Sequence, residues 1–325
     1  MPSANQLKAL LQSHIDRDED QFYSIAMQIA AHEAKLGHGQ LAKELRILID
    51  KAKKVKYENN FQPTPLVTPR GELSGLLSVA YPKLRLADII LSEDIQERLK
   101  RLISEHCKIK KLRSHGLAPR KKLLLIGPPG TGKTLTASIL AGELGLPLFI
   151  VRLDSLITKF MGETAAKLRM IFDEINQKRG VYLFDEFDSI GSQRSMGNDV
   201  GEIRRILNSF LQMIEQDDSD SLLIAATNHG EMLDDALYRR FDDVITYLIP
   251  NKQESIDTFK IKLASFKLFK INWKKLAEAS IGLSYGDITR VCEDAIKEML
   301  IQNEKTIKQE FLIRSIKDRL TINAK

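Results

Sequence analysis

Cysteine is nearly missing from this chain. Two occur in 325 residues, Cys107 and Cys292, far apart and outside any CxxC pattern. That excludes a disulfide framework and a cysteine-built zinc site, and it makes a reducing compartment, the cytoplasm, the expectation. Histidine is also scarce, at six, and no HxxxH or HExxH joins any two of them, so no metalloprotease signature is present. Aromatic residues make up only 6%, with a single tryptophan. No apolar run reaches the ~18 residues of a membrane span, and "MPSANQLKALLQSHIDRDED" has no apolar stretch of signal-peptide length. No membrane partner is therefore expected. Lys and Arg exceed Asp and Glu, 49 against 43, for a net charge of +6. The two signs are interleaved rather than segregated, so nucleic acid is not the expected partner either. Internal repeats and low-complexity tracts are lacking.

What is present divides into regions by pattern. Residues 1–56 read as a small helical domain that packs on itself or on a partner. "QFYSIAMQIAAHEAKL" sets Phe22, Ile25, Ala26, Ile29 and Ala30 on one face, and "QLAKELRILIDKAKK" sets Leu41, Leu45, Leu48, Ile49 and Ala52 on another. Residues 57–84 carry four of the ten prolines without sustained periodicity and read as a linker or extended arm. From 85 to 250 an amphipathic helix (Ile95, Leu99, Leu102, Ile103) precedes five short apolar runs that alternate with helical stretches. The runs are "KKLLLIG", "LPLFIVRL", "GVYLFDEFD", "SLLIAATN" and "DVITYLIP", which predict an α/β core with a largely parallel sheet. Residues 251–325 read as helices without strands. Ile288, Val291, Cys292, Ala295, Ile296 and Met299 form one stripe, and Thr306 with Gln309 has capping-box spacing.

"GPPGTGKT", residues 127–134, matches G-x-x-x-x-G-K-[ST] between a predicted strand and a predicted helix. A polyphosphate needs backbone N–H groups wrapped around it. Gly127, Gly130 and Gly132 permit that turn, and a helix opening near Lys133 aims its free amides at the anion. The loop residues Gly127, Pro128, Pro129, Gly130, Thr131, Gly132, Lys133, Thr134 and Leu135 are the candidate ATP contacts. Lys133 is expected to reach the β- and γ-phosphates, and Thr134 to offer its hydroxyl to Mg²⁺. "VYLFDEFD" ends a strand in acid: Asp185 is the second Mg²⁺ candidate, partly through water, and Glu186 the group that polarises an attacking water. Asn228, which stops "SLLIAATN", is expected over the C-terminal end of its strand, to orient that water or contact the γ-phosphate.

These motifs, in this order, resemble the AAA branch of the AAA+ ATPases from about Leu86 to the end. The resemblance implies a P-loop NTPase AAA+ core, a five-stranded parallel sheet between helices, with a C-terminal helical lid and the small N-terminal helical domain. It also implies ATP hydrolysis with ATP and Mg²⁺. "AATNH" is similar to the first sensor and "LDDALYRRF" to the second region of homology, which puts Arg239 and Arg240 at arginine-finger positions. Such arginines complete a neighbour's site, so the resemblance implies an ATP-dependent homo-hexamer. "LSYGDI" is similar to the lid segment that brings Gly286 near the nucleotide, and "LADII" to the stretch that lines the adenine, with Asp88 and Ile89. "TKFMGET" falls at the first pore loop, where Phe160, Met161 and Gly162 would grip a polypeptide. "RSMGNDVG" resembles a second, polar pore loop.

Two departures qualify the match. "RRF" lacks the Pro-Gly between the arginines of many relatives, and the N-terminal helices do not match the microtubule-interacting domain of severing enzymes. A small helical domain before one module is similar, more loosely, to bacterial ATPases paired with subtilisin-like proteases in defence or toxin–antitoxin systems. The expected function is thus a ring ATPase that remodels or unfolds a protein client, with a partner protease as one possible recipient. The alternatives are a nucleic-acid motor or loader, which needs a basic channel, and an ATP-sensing regulatory module, which needs no pore contact.

Overall fold

The computed structural model describes residues 73, 75–153, 156, 163–191, 200–233 and 235–323, together with 25–27, 29–30, 32, 40 and 44. The chain divides into two compact units, Met1–Pro65 and Leu66–Lys325. In the first, the described residues are helical, and Ile25 and Ala30 are buried. Ala26 and Ile29 are half-buried, while Phe22 and the apolar positions read into the second helix lie outside the described residues.

The second unit is built on a six-stranded sheet: β1 (Leu77–Ala80), β2 (Lys122–Ile126), β3 (Leu148–Val151), β4 (Val181–Phe184), β5 (Leu222–Thr227) and β6 (Asp243–Thr246). Their spatial order is β1-β3-β4-β5-β2-β6. The five strands read from the sequence are all present and mutually parallel. The sixth, β1, was not expected. It comes from the stretch read as a linker and pairs antiparallel with β3, Leu77 opposite Val151 and Ala80 opposite Leu148. The reason is physical: "LLSV" is short and lies on the sheet edge, yet Leu76 and Leu77 are fully buried and hold it there.

Four helices cover the sheet: α1 (Glu93–Cys107), α2 (Lys133–Leu144), α3 (Thr164–Gln177) and α4 (Val200–Gln216). Strand side chains alternate between faces, so neighbours in one strand serve different cores. Leu123 and Leu125 pack with Leu99 and Leu102 of α1 and Ala137 and Leu140 of α2. Leu124 faces the opposite core, with Phe172 of α3 and Phe210 of α4. Because both faces are dry, the strands are continuous apolar runs. On the second face Phe210 meets Phe184 and Phe187 with ring centroids 5.2 and 4.9 Å apart. Each such ring contributes roughly 2–3 kcal/mol through burial.

Beyond Pro250 lie α5 (Lys252–Leu263), α6 (Trp273–Ala279), α7 (Tyr285–Ile301) and α8 (Gln309–Asn323). The stripe predicted on α7 is the core of this part: Ile288, Val291, Cys292, Ala295 and Met299 pack with Phe259, Leu276, Leu312 and Ile316. Burial pushes the Cys292 thiol up to about 12, so it stays a protonated apolar group. Two readings are corrected here. Strands do not vanish after Pro250, since Leu268–Phe269 (β7) pairs in parallel with Ile307–Lys308 (β8). Thr306 does not cap α8 either: with β8 between them, Gln309 starts the helix and its side-chain Oε1 accepts from the Asn272 N–H, 2.7 Å away. Among the described residues no helix is long and apolar enough to cross a membrane.

Candidate functional site

Strand order decides where the chemistry gathers. β2 sits between β5 and β6, and β4 lies beyond β5, so the loops leaving β2, β4 and β5 open on one crevice at the C-terminal edge of the sheet. A cavity of about 430 Å³ fills it, bounded by the loop after β2, by Asp185, Glu186 and Asn228, by Asp88 and Ile89, and by α5 and α7.

The loop after β2 wraps tightly. Gly127 donates its N–H to the Thr227 carbonyl of β5 at 3.2 Å, and the Thr131 hydroxyl donates to the Pro128 carbonyl at 2.8 Å. Gly130 has φ +76°, and a Cβ there would stand 2.4 Å from the Ser284 hydroxyl oxygen. Only glycine satisfies both conditions. Its carbonyl accepts from the Gly286 N–H at 2.9 Å, so α7 is joined to the loop by backbone alone. Ser284 caps α7 in a reciprocal box with Asp287. Burial would raise the Asp287 carboxyl, but hydrogen bonds from Ser284 and Asn323 and the nearby Arg319 outweigh it and hold the pKa low. Beneath the loop, the buried Tyr247 hydroxyl donates to Thr136 at 2.8 Å, and Thr136 in turn donates to the Gly132 carbonyl at 3.0 Å. Burial pushes the Tyr247 phenol up to about 12, which keeps it a donor.

Lys133 is 7% exposed, and its ammonium has three protein acceptors: the carbonyls of Gly127 at 2.6 Å and Pro128 at 2.9 Å, and Asn228 Oδ1 at 2.8 Å. Burial lowers its pKa from the ordinary lysine value, against the opposing pull of Asp185 and Asp188. The Thr134 hydroxyl donates to Asp185 Oδ2 at 2.8 Å, while Asp185 Oδ1 accepts from the Glu186 N–H at 2.9 Å. Glu186 itself is exposed to the cavity and has φ +51°, in the left-handed region. Asp188 accepts from the Thr227 hydroxyl at 2.9 Å and ties the loop after β4 to the end of β5.

The cavity thus collects Asp88, Ile89, Pro129, Gly130, Thr131, Gly132, Lys133, Thr134, Leu135, Asp185, Glu186, Asn228 and Gly286. Gly127 and Pro128 stay behind it and meet Lys133 through their carbonyls. Ile89 packs over Gly132, whereas the Asp88 carboxylate is committed to the Arg85 N–H at 2.7 Å. Arg239 and Arg240 are exposed outside the cavity, and Arg240 is ion-paired with Glu215. Phe160, Met161, Gly162 and most of "RSMGNDVG" lie outside the described residues. Sequence reasoning missed the wall supplied by Thr258, Ile261 and Lys262 of α5 and by Tyr285 and Thr289 of α7. The one available signal was the spacing of 258, 261 and 262 on one helical face, with Ile261 left 51% exposed.

Comparison with known proteins agrees with this geometry. Residues 123–247 match the family described as "ATPase family associated with various cellular activities (AAA)". The chain is 35% identical over 312 residues to the AAA family ATPase y4kL of Sinorhizobium fredii, covering 96% of this chain and 94% of that protein. It is 30% identical over 256 residues to the ATP-dependent zinc metalloprotease FtsH of Helicobacter felis, and 31% identical over 235 residues to FtsH of Metamycoplasma arthritidis. These matches cover 76% and 70% of this chain but only 40% and 32% of the two FtsH proteins.

Proposed function

The chain belongs to the AAA family of ATPases and hydrolyses ATP, and from that premise we propose that turnover drives a homo-hexameric ring that remodels or unfolds a protein client. The observation that carries the reading is the division of charge. The cavity gathers Lys133, Thr134, Asp185, Glu186 and Asn228 around one space, while two exposed arginines, Arg239 and Arg240, stand outside it, available to a neighbouring copy.

Within one copy, the phosphate loop and the first turn of α2 bind the triphosphate through backbone N–H groups, with Lys133 as the buried cation beside it. Thr134 and Asp185 suit Mg²⁺. Their oxygens lie 2.8 Å apart, near the ~3.0 Å edge of an octahedron with ~2.1 Å bonds, and both are hard donors. Held there by Thr134 and Asp185, the ion would supply positive charge to offset that of the phosphates. Glu186 accepts the proton of the attacking water, and Asn228 orients that water or the γ-phosphate. Arg239 and Arg240 of the adjoining copy complete the site, a contribution worth about 10³–10⁵ in rate where it is measured. The lid holds the loop through Gly286, so a change at the phosphates moves α5–α8, and the segment with Phe160, Met161 and Gly162 passes that motion to the client.

The FtsH relatives are named ATP-dependent zinc metalloproteases. HExxH does not occur in this sequence, and the proposal assigns any degradation of the client to a partner protease. The test is Glu186→Gln in the full chain. Nucleotide affinity should stay within about threefold, hydrolysis should fall by roughly 10² or more, and client should co-purify in ATP. Unchanged hydrolysis would remove Glu186 from the chemistry. Client capture that survives Phe160→Ala would refute the pore reading.

A further inference from the structure

The lid carries a second feature, away from the nucleotide cavity. Residues 260–275, "KIKLASFKLFKINWKK", hold six lysines and no carboxylate. The fold brings three of them, Lys260, Lys270 and Lys274, to an open groove of about 540 Å³ whose apolar lining is Ile256, Ile271 and Trp273. The three apolar side chains are half-buried and the lysines exposed. Among the described residues none of these lysines forms an ion pair. Lys260 Nζ lies 5.9 Å from the Trp273 ring centroid, and Lys270 Nζ lies 5.5 Å from that of Phe269. Of the nearby acids, Glu278 faces Lys252 at 3.9 Å, and Asp257 accepts from Gln253, a neutral side chain of the groove.

A surface of this kind holds uncompensated positive charge around an apolar floor. We propose that the groove is a docking site for an acidic segment of a partner protein, with carboxylates meeting Lys260, Lys270 and Lys274 and an interposed aliphatic side chain seated between Ile256, Ile271 and Trp273. Charge complementarity sets the sign of the partner. The floor sets its kind. A single strand held through its bases stacks them on open aromatic faces, and here Lys260 lies over the Trp273 ring. Ile256 and Ile271 suit an aliphatic side chain better than a base. The docking site is independent of the nucleotide chemistry, so it stands or falls separately from the remodelling function.

The chain's one tryptophan is in the groove, which makes its emission a local reporter. The full chain is titrated with a short synthetic peptide of alternating Glu and Leu, with its Lys–Leu counterpart, and with single-stranded oligothymidylate. The Glu–Leu peptide should shift Trp273 emission saturably and more weakly as salt rises. Lys270→Glu with Lys274→Glu should weaken it roughly tenfold, while ATP hydrolysis is unchanged and Lys270→Arg with Lys274→Arg retains binding. Three results would each overturn the proposal: no emission change, an equal change with the Lys–Leu peptide, or undiminished binding after charge reversal. Tighter binding of the oligonucleotide than of the Glu–Leu peptide would also overturn it and assign the groove to nucleic acid.

Discussion

Glu186 has two roles that conflict. The side chain proposed as base sits at φ +51°, a conformation that costs a non-glycine residue roughly 1–2 kcal/mol. The neighbours enforce it: Asp185 Oδ1 takes the Glu186 N–H, and the Phe187 N–H reaches the Ala226 carbonyl at 2.9 Å. Strain held at such a position separates chemistry from stability. Glu186→Gly and Glu186→Ala should both lack hydrolysis, yet the glycine variant should unfold with a stability up to about 1 kcal/mol above the alanine variant. Equal stabilities in a urea titration would mean that the turn is relaxed in solution. The same residue also marks how far the sequence could be read. Glycine spacing and strand-end acids nominated Lys133, Thr134, Asp185, Glu186 and Asn228, because phosphate chemistry restricts residue type. Thr258, Ile261, Lys262, Tyr285 and Thr289 were invisible, because a cavity wall needs only shape and many residues supply it.

Among the elements, the four inner strands were legible because burial on both faces leaves an uninterrupted apolar run, and the edge strand β6 because its apolar run continues into "YLI". β1 was not, since an edge strand pairs on one side only and its run is short. β7 and β8 are two residues each, below any periodicity. The attachment of α1 was equally hidden, and it leads to a pH dependence. Glu105 and His106 end α1 and grip Arg120 just before β2. The Arg120 guanidinium lies 2.8 Å from Glu105 and holds its carboxyl below the usual 4.5. His106 Nε2 donates to the Arg120 carbonyl at 2.7 Å, and its buried Nδ1 has no partner among the described residues. Burial therefore pulls the imidazole below its ordinary 6.5. In the unfolded chain His106 takes a proton more readily than in the fold, so acid favours unfolding. Stability should fall as pH drops below about 6.5, and Glu105 should add a further loss as pH falls from 4.5 through its lowered value. His106→Gln keeps a donor for the Arg120 carbonyl without titrating. Denaturation midpoints between about pH 7.5 and 5.5 should flatten in that variant. A slope identical to that of the unaltered chain would exclude His106 as its source.

At the scale of the whole molecule, the question is whether one copy is a complete enzyme. Among the described residues, Lys133 and Lys262 are the basic residues lining its own cavity, and no arginine is. Arg239 and Arg240 are not in its lining, and Arg240 is braced by Glu215 in the last turn of α4. If they act on a neighbour, each active site needs Glu186 from one copy and the arginines from the next. That arrangement predicts complementation. Glu186→Gln and Arg239→Ala with Arg240→Ala should each be inactive alone, for opposite reasons. The first still donates arginines, and the second still presents Glu186. Mixed in equal amounts and allowed to exchange, about one quarter of the interfaces in a closed ring pair an intact Glu186 with intact arginines. ATPase activity should then return from near zero toward about that fraction, provided the protein is concentrated enough to assemble. Dilution of the unaltered chain should lower its activity per copy for the same reason. A mixture that stays inactive, or an arginine variant that hydrolyses ATP normally by itself, would locate the complete site within a single chain and leave the exposed arginines as surface ion-pair residues.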